Sequence, residues 1–188
     1  YATRPDLEAL NALGRRLQQQ RPRDPAGWLY GGFAAQREHR LEEATRLFDA
    51  GLRTMPDSLQ ALFNAPGRIL NRSSGRLAGG DTAAVRVFWT NKDPRLLTEV
   101  NERLLEHYAR LVYADLAFSE PALDLAGWDA DRGDIFVRYG APSRAYFLAS
   151  PLVDCGPHTR SRFHVFEYGP QRVVFGNPAP NLSLIHIS

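Results

Sequence analysis

The stretch Gly127-Trp128-Asp129-Ala130-Asp131-Arg132-Gly133-Asp134-Ile135-Phe136-Val137-Arg138-Tyr139-Gly140-Ala141-Pro142 decides how this chain reads. It sets a large aromatic, two spaced carboxylates and a charged turn ahead of a run in which Ile135, Val137 and Tyr139 alternate with Phe136 and Arg138. A period of two predicts a strand over 134–139. Trp128 is then expected to anchor the turn in the core, while Asp129 and Asp131 cap backbone amides or pair with Arg132 and Arg138. The run speaks for architecture rather than for a reaction.

Downstream, Gly, Pro and Asp punctuate short alternating runs, and 163–168 and 172–175, separated by Gly169-Pro170-Gln171, read as a hairpin. Upstream, Thr98 is the expected N-cap of a long helix whose apolar face is Val100, Leu104, Tyr108, Leu111, Val112 and Leu116, with Glu99 in its first turn. His107 sits among charged neighbours there and reads as solvated or capping. Before it, Asp81 caps a short helix bearing Val85, Phe88 and Trp89, closed by Asn91-Lys92-Asp93-Pro94. A long helix packed on a short antiparallel sheet of three strands makes 81–178 a small α+β domain.

The first third is helical by period. Leu7, Leu10, Leu13 and Leu17 form one stripe of a helix ending before Pro22, a second helix spans about 26–37, and Leu41, Ala44, Leu47, Phe48 and Leu52 share a face of a third that stops before Pro56. Pro22 and Pro56 stand 34 residues apart. Leu59, Leu62, Phe63, Ile69 and Leu70 begin a further unit that Pro66 and Gly67 interrupt, and the polar 72–80 stretch marks the boundary of a helical region covering 1–72.

Two family resemblances rest on these residues. With the 34-residue spacing, Trp28, Gly32, Ala44, Phe48 and Pro56 occupy the Trp, Gly, Ala, Phe and Pro places of the tetratricopeptide repeat, while Gly31 and Ala35 depart from it. The resemblance implies helical hairpins whose concave face offers Leu29, Phe33 and Gln36 to a partner. The span 83–178 resembles the bacterial GWxTD domain through Gly127-Trp128-Asp129-Ala130-Asp131, with alanine in place of threonine. Phe88-Trp89, Asp93-Pro94, Asn101-Glu102, Tyr108-Ala109-Arg110, Tyr113-Ala114, Phe118 and the run from Asp131 to Pro142 extend the likeness. That second resemblance implies a bacterial source and frequent export to the cell envelope or periplasm, and it carries no catalytic residues.

Composition narrows the classes of function. The 188 residues are 44% hydrophobic, enough for one domain or two small ones. The 23 basic residues, of which only Lys92 is lysine, are interspersed with 21 acidic ones for a formal net charge of +2, so no nucleic-acid partner is expected. No apolar run approaches the roughly 20 residues of a bilayer span. The closing segment 182–188 resembles translated sequencing adapter and is set aside as a non-native tail, with a true terminal strand as the alternative reading.

Candidate chemistry is sparse. Asp129 and Asp131 make a D-x-D pair, but a calcium loop wants glycine at its sixth place and glutamate at its twelfth, where Asp134 and Gly140 stand. Cys155, between Asp154 and His158, lacks the spacing of a zinc site and reads as a loop thiol. No metal, cofactor or catalytic residue is therefore expected. The reading is a non-catalytic module that binds a protein or peptide, using Leu29, Phe33 and Gln36 on the repeat and Trp128, Asp129, Asp131, Arg132 and Arg138 as a mainly structural motif. The alternatives are a hydrolase or transferase built on Asp129, Asp131 and Arg138 with His164, and a structural subunit of an envelope assembly.

Overall fold

Leucines at three- and four-residue steps coil the opening segment into α1 (Leu7–Gln20), whose first free amides are met by the Asp6 side chain accepting from Ala9 N–H at 3.0 Å. Asp24 does the same for α2 (Pro25–Arg37), where Pro25 takes a position that needs no donor. In this computed structural model residues 6–70, 82–94, 100–149, 162–176 and 183–187 are described. The expected caps Asp81 and Thr98 with Glu99, the 72–80 boundary, and the loop holding Asp154, Cys155 and His158 lie outside them. The chain is α+β and mostly helical, and it divides into two units between Tyr113 and Ala114.

In the first unit α1, α2 and α3 (Leu41–Thr54) pack in succession. Missing side chains let the helix backbones approach: a Cβ on Gly27 would lie 2.9 Å from Gln18 N, and one on Gly32 would lie 2.9 Å from the Phe48 ring. Phe33, Ala34, Ala35, Ala44 and Phe48 are buried as a result. α4 (Asp57–Asn64) follows, then a short 3-10 turn at Pro66–Arg68, α5 (Thr82–Lys92) and α6 (Glu102–Phe118).

The long helix corrects the sequence reading in three ways. Asn101 caps it, its side-chain oxygen accepting from Leu104 N–H at 2.9 Å and its carbonyl accepting from Leu105 N–H at 3.1 Å. Its inner face is rotated, because Leu105 and Ala109 are buried whereas Leu104 is half-buried and Leu116 is 42% exposed. The rotation turns His107 inward to 1% exposure. Most of the helix also packs on helices: Tyr113 meets Phe33, Tyr108 meets Phe48 and Phe63, and Gln36 donates to Glu106 at 2.9 Å. Those contacts lie within the first unit, which runs to Tyr113.

The second unit holds α7 (Asp131–Tyr139) and an antiparallel sheet in the order β1 (Arg144–Ala149), β2 (Arg162–Tyr168), β3 (Gln171–Gly176) and β4 (Ser183–Ile187). The β2–β3 hairpin is as expected, turned by Gly169-Pro170 with Gly169 at a φ of 61°, a value that suits glycine in a two-residue turn. The strand expected over 134–139 is instead helix α7. Ile135 and Val137 carry strand propensity, but Gly133, Ile135, Phe136, Val137 and Gly140 are the buried positions, a set in which Gly133, Phe136, Val137 and Gly140 stand three and four apart and the alternation of a strand is lost because Phe136 is buried with its neighbours. Strand β1 was not anticipated, and the segment set aside at 182–188 contributes β4, which pairs with β3 across a register irregularity at Val174/Phe175.

In the sheet unit Phe118 at the end of α6 packs between Phe136 of α7 and Phe166 of β2, each 6.1 Å between ring centroids. Ala130 is the N-cap of α7 and has no side-chain cap, with Asp131 and Asp134 in the first turn. Ala130→Ser supplies the missing acceptor and is expected to stabilise the unit by about 1 kcal/mol. Thermal denaturation followed by circular dichroism checks this, and an unchanged or lower midpoint rejects it.

Candidate functional site

Two places concentrate specific geometry. The first is a cleft of about 780 Å³ in the helical unit, between α4 and α5 and lined also by Asn101 and Leu104. Ala61, Leu62, Ala65, Val85, Trp89 and Leu104 supply its apolar surface, and Asp57, Gln60 and Arg86 stand among its polar lining. Helix periodicity explains the pairing of faces: Ala61 and Ala65 are one turn apart on α4 and its end, as Val85 and Trp89 are on α5.

The floor is held by a polar network of three hydrogen bonds. Trp89 Nε1 donates to the Asn64 carbonyl at 2.8 Å, Asn101 Nδ2 donates to the Trp89 carbonyl at 2.7 Å, and the Tyr108 hydroxyl donates to Asn64 Oδ1 at 2.6 Å. Burial raises the Tyr108 pKa, so the hydroxyl keeps its proton for that bond. Behind Trp89, its ring 4.9 Å away, lies His107, whose Nε2 is 3.0 Å from the Phe63 carbonyl. A carbonyl only accepts, so Nε2 carries the hydrogen and Nδ1 is left buried with a bare lone pair. Burial, reinforced by Arg103, Arg110 and Arg68, outweighs that hydrogen bond and lowers the His107 pKa to about 3. The floor is therefore neutral at physiological pH.

The second place is the joint around the 127–133 motif. Gly127 N–H donates to Asp115 Oδ1 at 3.1 Å and to Ser119 Oγ at 2.9 Å, and the Ser119 hydroxyl donates to Asp115 Oδ1 at 2.5 Å. A Cβ on Gly127 would lie 2.6 Å from the Ala114 carbonyl carbon, and one on Gly133 would lie 2.7 Å from the Gly127 carbonyl carbon while overlapping its oxygen. The two glycines thus let α6, the turn and α7 touch backbone to backbone. The motif is a packing joint.

No protein-family model, curated protein or solved structure matches this chain. The chemistry of its residues has to carry the functional reading alone.

The residues singled out in the sequence fall as follows. Phe33 is 1% exposed against Tyr113 with the Arg37 guanidinium over its ring, and Leu29 is buried. Gln36 donates to Glu106. Of the three, Phe33 and Gln36 meet α6 and Leu29 lies beside Gly51 of α3, with Gln36 left half-buried. Trp128 is half-buried in its turn, and Asp129 and Asp131 are exposed. Arg132 pairs with Glu120 and Arg138 with Asp134, each at 3.6 Å. His164 stacks on Phe147 at 4.2 Å in β2, and burial with Arg132 nearby lowers its pKa to about 4.

Among the described residues no group of three or more His, Cys, Asp or Glu is placed to hold a metal ion, and no helix is long and apolar enough to cross a membrane. The cleft residues Asn64, Asn101, Ala61 and Val85 were missed as a site. Their only trace in the sequence is Trp89 among small and polar neighbours, and nothing local says that α4 and α5 face one another.

Proposed function

We propose that this chain is a protein-interaction module without catalytic function that takes a short apolar peptide segment of a partner into the cleft between α4 and α5. The observation that carries the reading is the cleft itself, an apolar trough of about 780 Å³ with Asp57 and Arg86 among its polar lining. Ligand sites of this kind gain affinity from apolar contact and orientation from a few polar groups. The floor's donors are already engaged by the protein, so Trp89 and Leu104 favour hydrocarbon over a polar ligand. Two apolar side chains one helical turn apart on a partner helix match the spacing of Ala61 and Ala65.

The finer family reading belongs to the same proposal. A tetratricopeptide-like hairpin of α2 and α3 is supported by the closeness of Gly32 to Phe48 and by the full burial of Ala44. A GWxTD-like character of the second unit is supported by the backbone joint at Gly127 and Gly133, and by Ala130 at an N-cap where the resembled motif has threonine.

Selection of a random displayed peptide library on the complete protein tests the proposal. Enriched sequences are expected to carry two or three apolar residues at helical spacing. Ala61→Arg, at an exposed cleft position, is expected to weaken the selected peptides at least tenfold with unchanged circular dichroism. Binders indifferent to Ala61→Arg, or the absence of any enrichment, would overturn it.

A further inference from the structure

Strand β1 ends the sheet order, so one of its edges faces away from β2. Among the described residues no strand pairs with that edge. Outer strands of natural sheets usually carry charge, proline or a bulge that discourages a second strand. The run Ala145-Tyr146-Phe147-Leu148-Ala149 carries no charge and no proline, and its register with β2 is unbroken. Phe147 is 53% exposed although its ring stacks on His164 at 4.2 Å and 13°, and Leu148, pointing to the opposite face, is 49% exposed.

We propose that β1 pairs antiparallel with β1 of a second copy of this chain, about a two-fold axis perpendicular to the sheet at Phe147, so that two sheets become one. Such an axis keeps like faces together, which requires each residue to meet one of the same parity. Centring on Phe147 sets Phe147 opposite Phe147, Tyr146 opposite Leu148 and Ala145 opposite Ala149. Aromatic then meets aromatic on the face shared with His164, and Tyr146 meets leucine on the other; both are favourable cross-strand pairs. Arg144, the strand's one charge, falls beyond the paired stretch, so like charges do not stand opposite. Centring on Tyr146 would instead lay Arg144 against Leu148 and leave Phe147 facing only alanine. The self-match of a six-residue strand singles out a second copy as the occupant, and so short an interface makes the dimer weak and concentration-dependent. The inference does not depend on the α4/α5 cleft.

Sedimentation velocity of the complete chain over a hundredfold range of concentration tests it. The expected result is a rise from 21.1 kDa toward twice that mass, abolished by Phe147→Lys and by Leu148→Lys, each checked for native circular dichroism. In a Cys155→Ser background, Phe147→Cys is expected to oxidise to a disulfide-linked dimer at least tenfold faster than Tyr139→Cys, an equally exposed position off the strand. A mass that stays monomeric throughout, a dimer unmoved by both lysine variants, or equal cross-linking at the two cysteines would overturn the proposal.

Discussion

Gly133→Ala is expected to cost the second unit more than about 3 kcal/mol, a large part of the stability available to a unit of this size. Helix propensity alone points the other way, since alanine in a helix interior is favoured over glycine by about 1 kcal/mol. Packing decides the sign. The added Cβ would overlap the Gly127 carbonyl oxygen and lie 2.7 Å from its carbon and 3.1 Å from Trp128 Cα, whereas carbon atoms sit comfortably at roughly 3.5 Å. Every one of those atoms is backbone, so no rotamer change relieves the overlap. The turn itself has to move, and it is tied to α6 through the bonds from Gly127 N–H to Asp115 and Ser119. Loss of protection in amide hydrogen exchange across 127–139 is the expected signature. Gly67→Ala is the control, because a Cβ there meets nothing within 4 Å, and its effect is expected to stay within about 0.5 kcal/mol. Equal stabilities of Gly133→Ala and wild type in urea would show that the joint does not bear on folding.

That joint also explains which parts of the fold were legible in the sequence. Helices α1 to α3 follow from leucine and alanine spacing between prolines, a local pattern in which each residue's neighbours on the helix face are only three or four positions away. The β2–β3 hairpin is equally local, since Gly169-Pro170 sits between two alternating runs. Helix α7 is not local in this sense. Its nine residues include Ile135, Phe136 and Val137, all good strand formers, and the preference for helix comes from burying Gly133, Phe136 and Val137 together against the turn and Phe118. The face of α6 failed for a related reason: charged neighbours made His107 look solvated, but Phe63 and Trp89, far away in sequence, supply its surroundings. The cleft between α4 and α5 is a product of two helices meeting, which no single stretch records.

The buried imidazole has a measurable consequence in acid. His107 titrates near its ordinary pKa of about 6.5 in the unfolded chain but only at about 3 in the folded one, so between those values the unfolded state binds the extra proton. Stability is therefore fully present above about pH 6.5 and declines as pH falls toward 3, by up to about 1.4 kcal/mol per pH unit from this group and on the order of 5 kcal/mol in all. His164, lowered to about 4, adds to the same slope in the sheet unit. Protonation of His107 would place a cation beside Arg68, Arg103 and Arg110, behind the tryptophan that floors the cleft. His107→Gln keeps a donor for the Phe63 carbonyl and removes the titration. Its stability at pH 7 is expected to fall by about 1–2 kcal/mol for imperfect packing, while the loss between pH 6 and pH 4 shrinks by roughly one proton's worth relative to wild type. Urea unfolding followed by tryptophan fluorescence at several pH values measures both, and carboxylates cancel in the difference because they are common to the two proteins. Parallel pH profiles for wild type and His107→Gln would mean that the histidine takes up its proton as readily in the folded helices as in the unfolded chain, and the cleft floor would then not be held neutral in acid by burial.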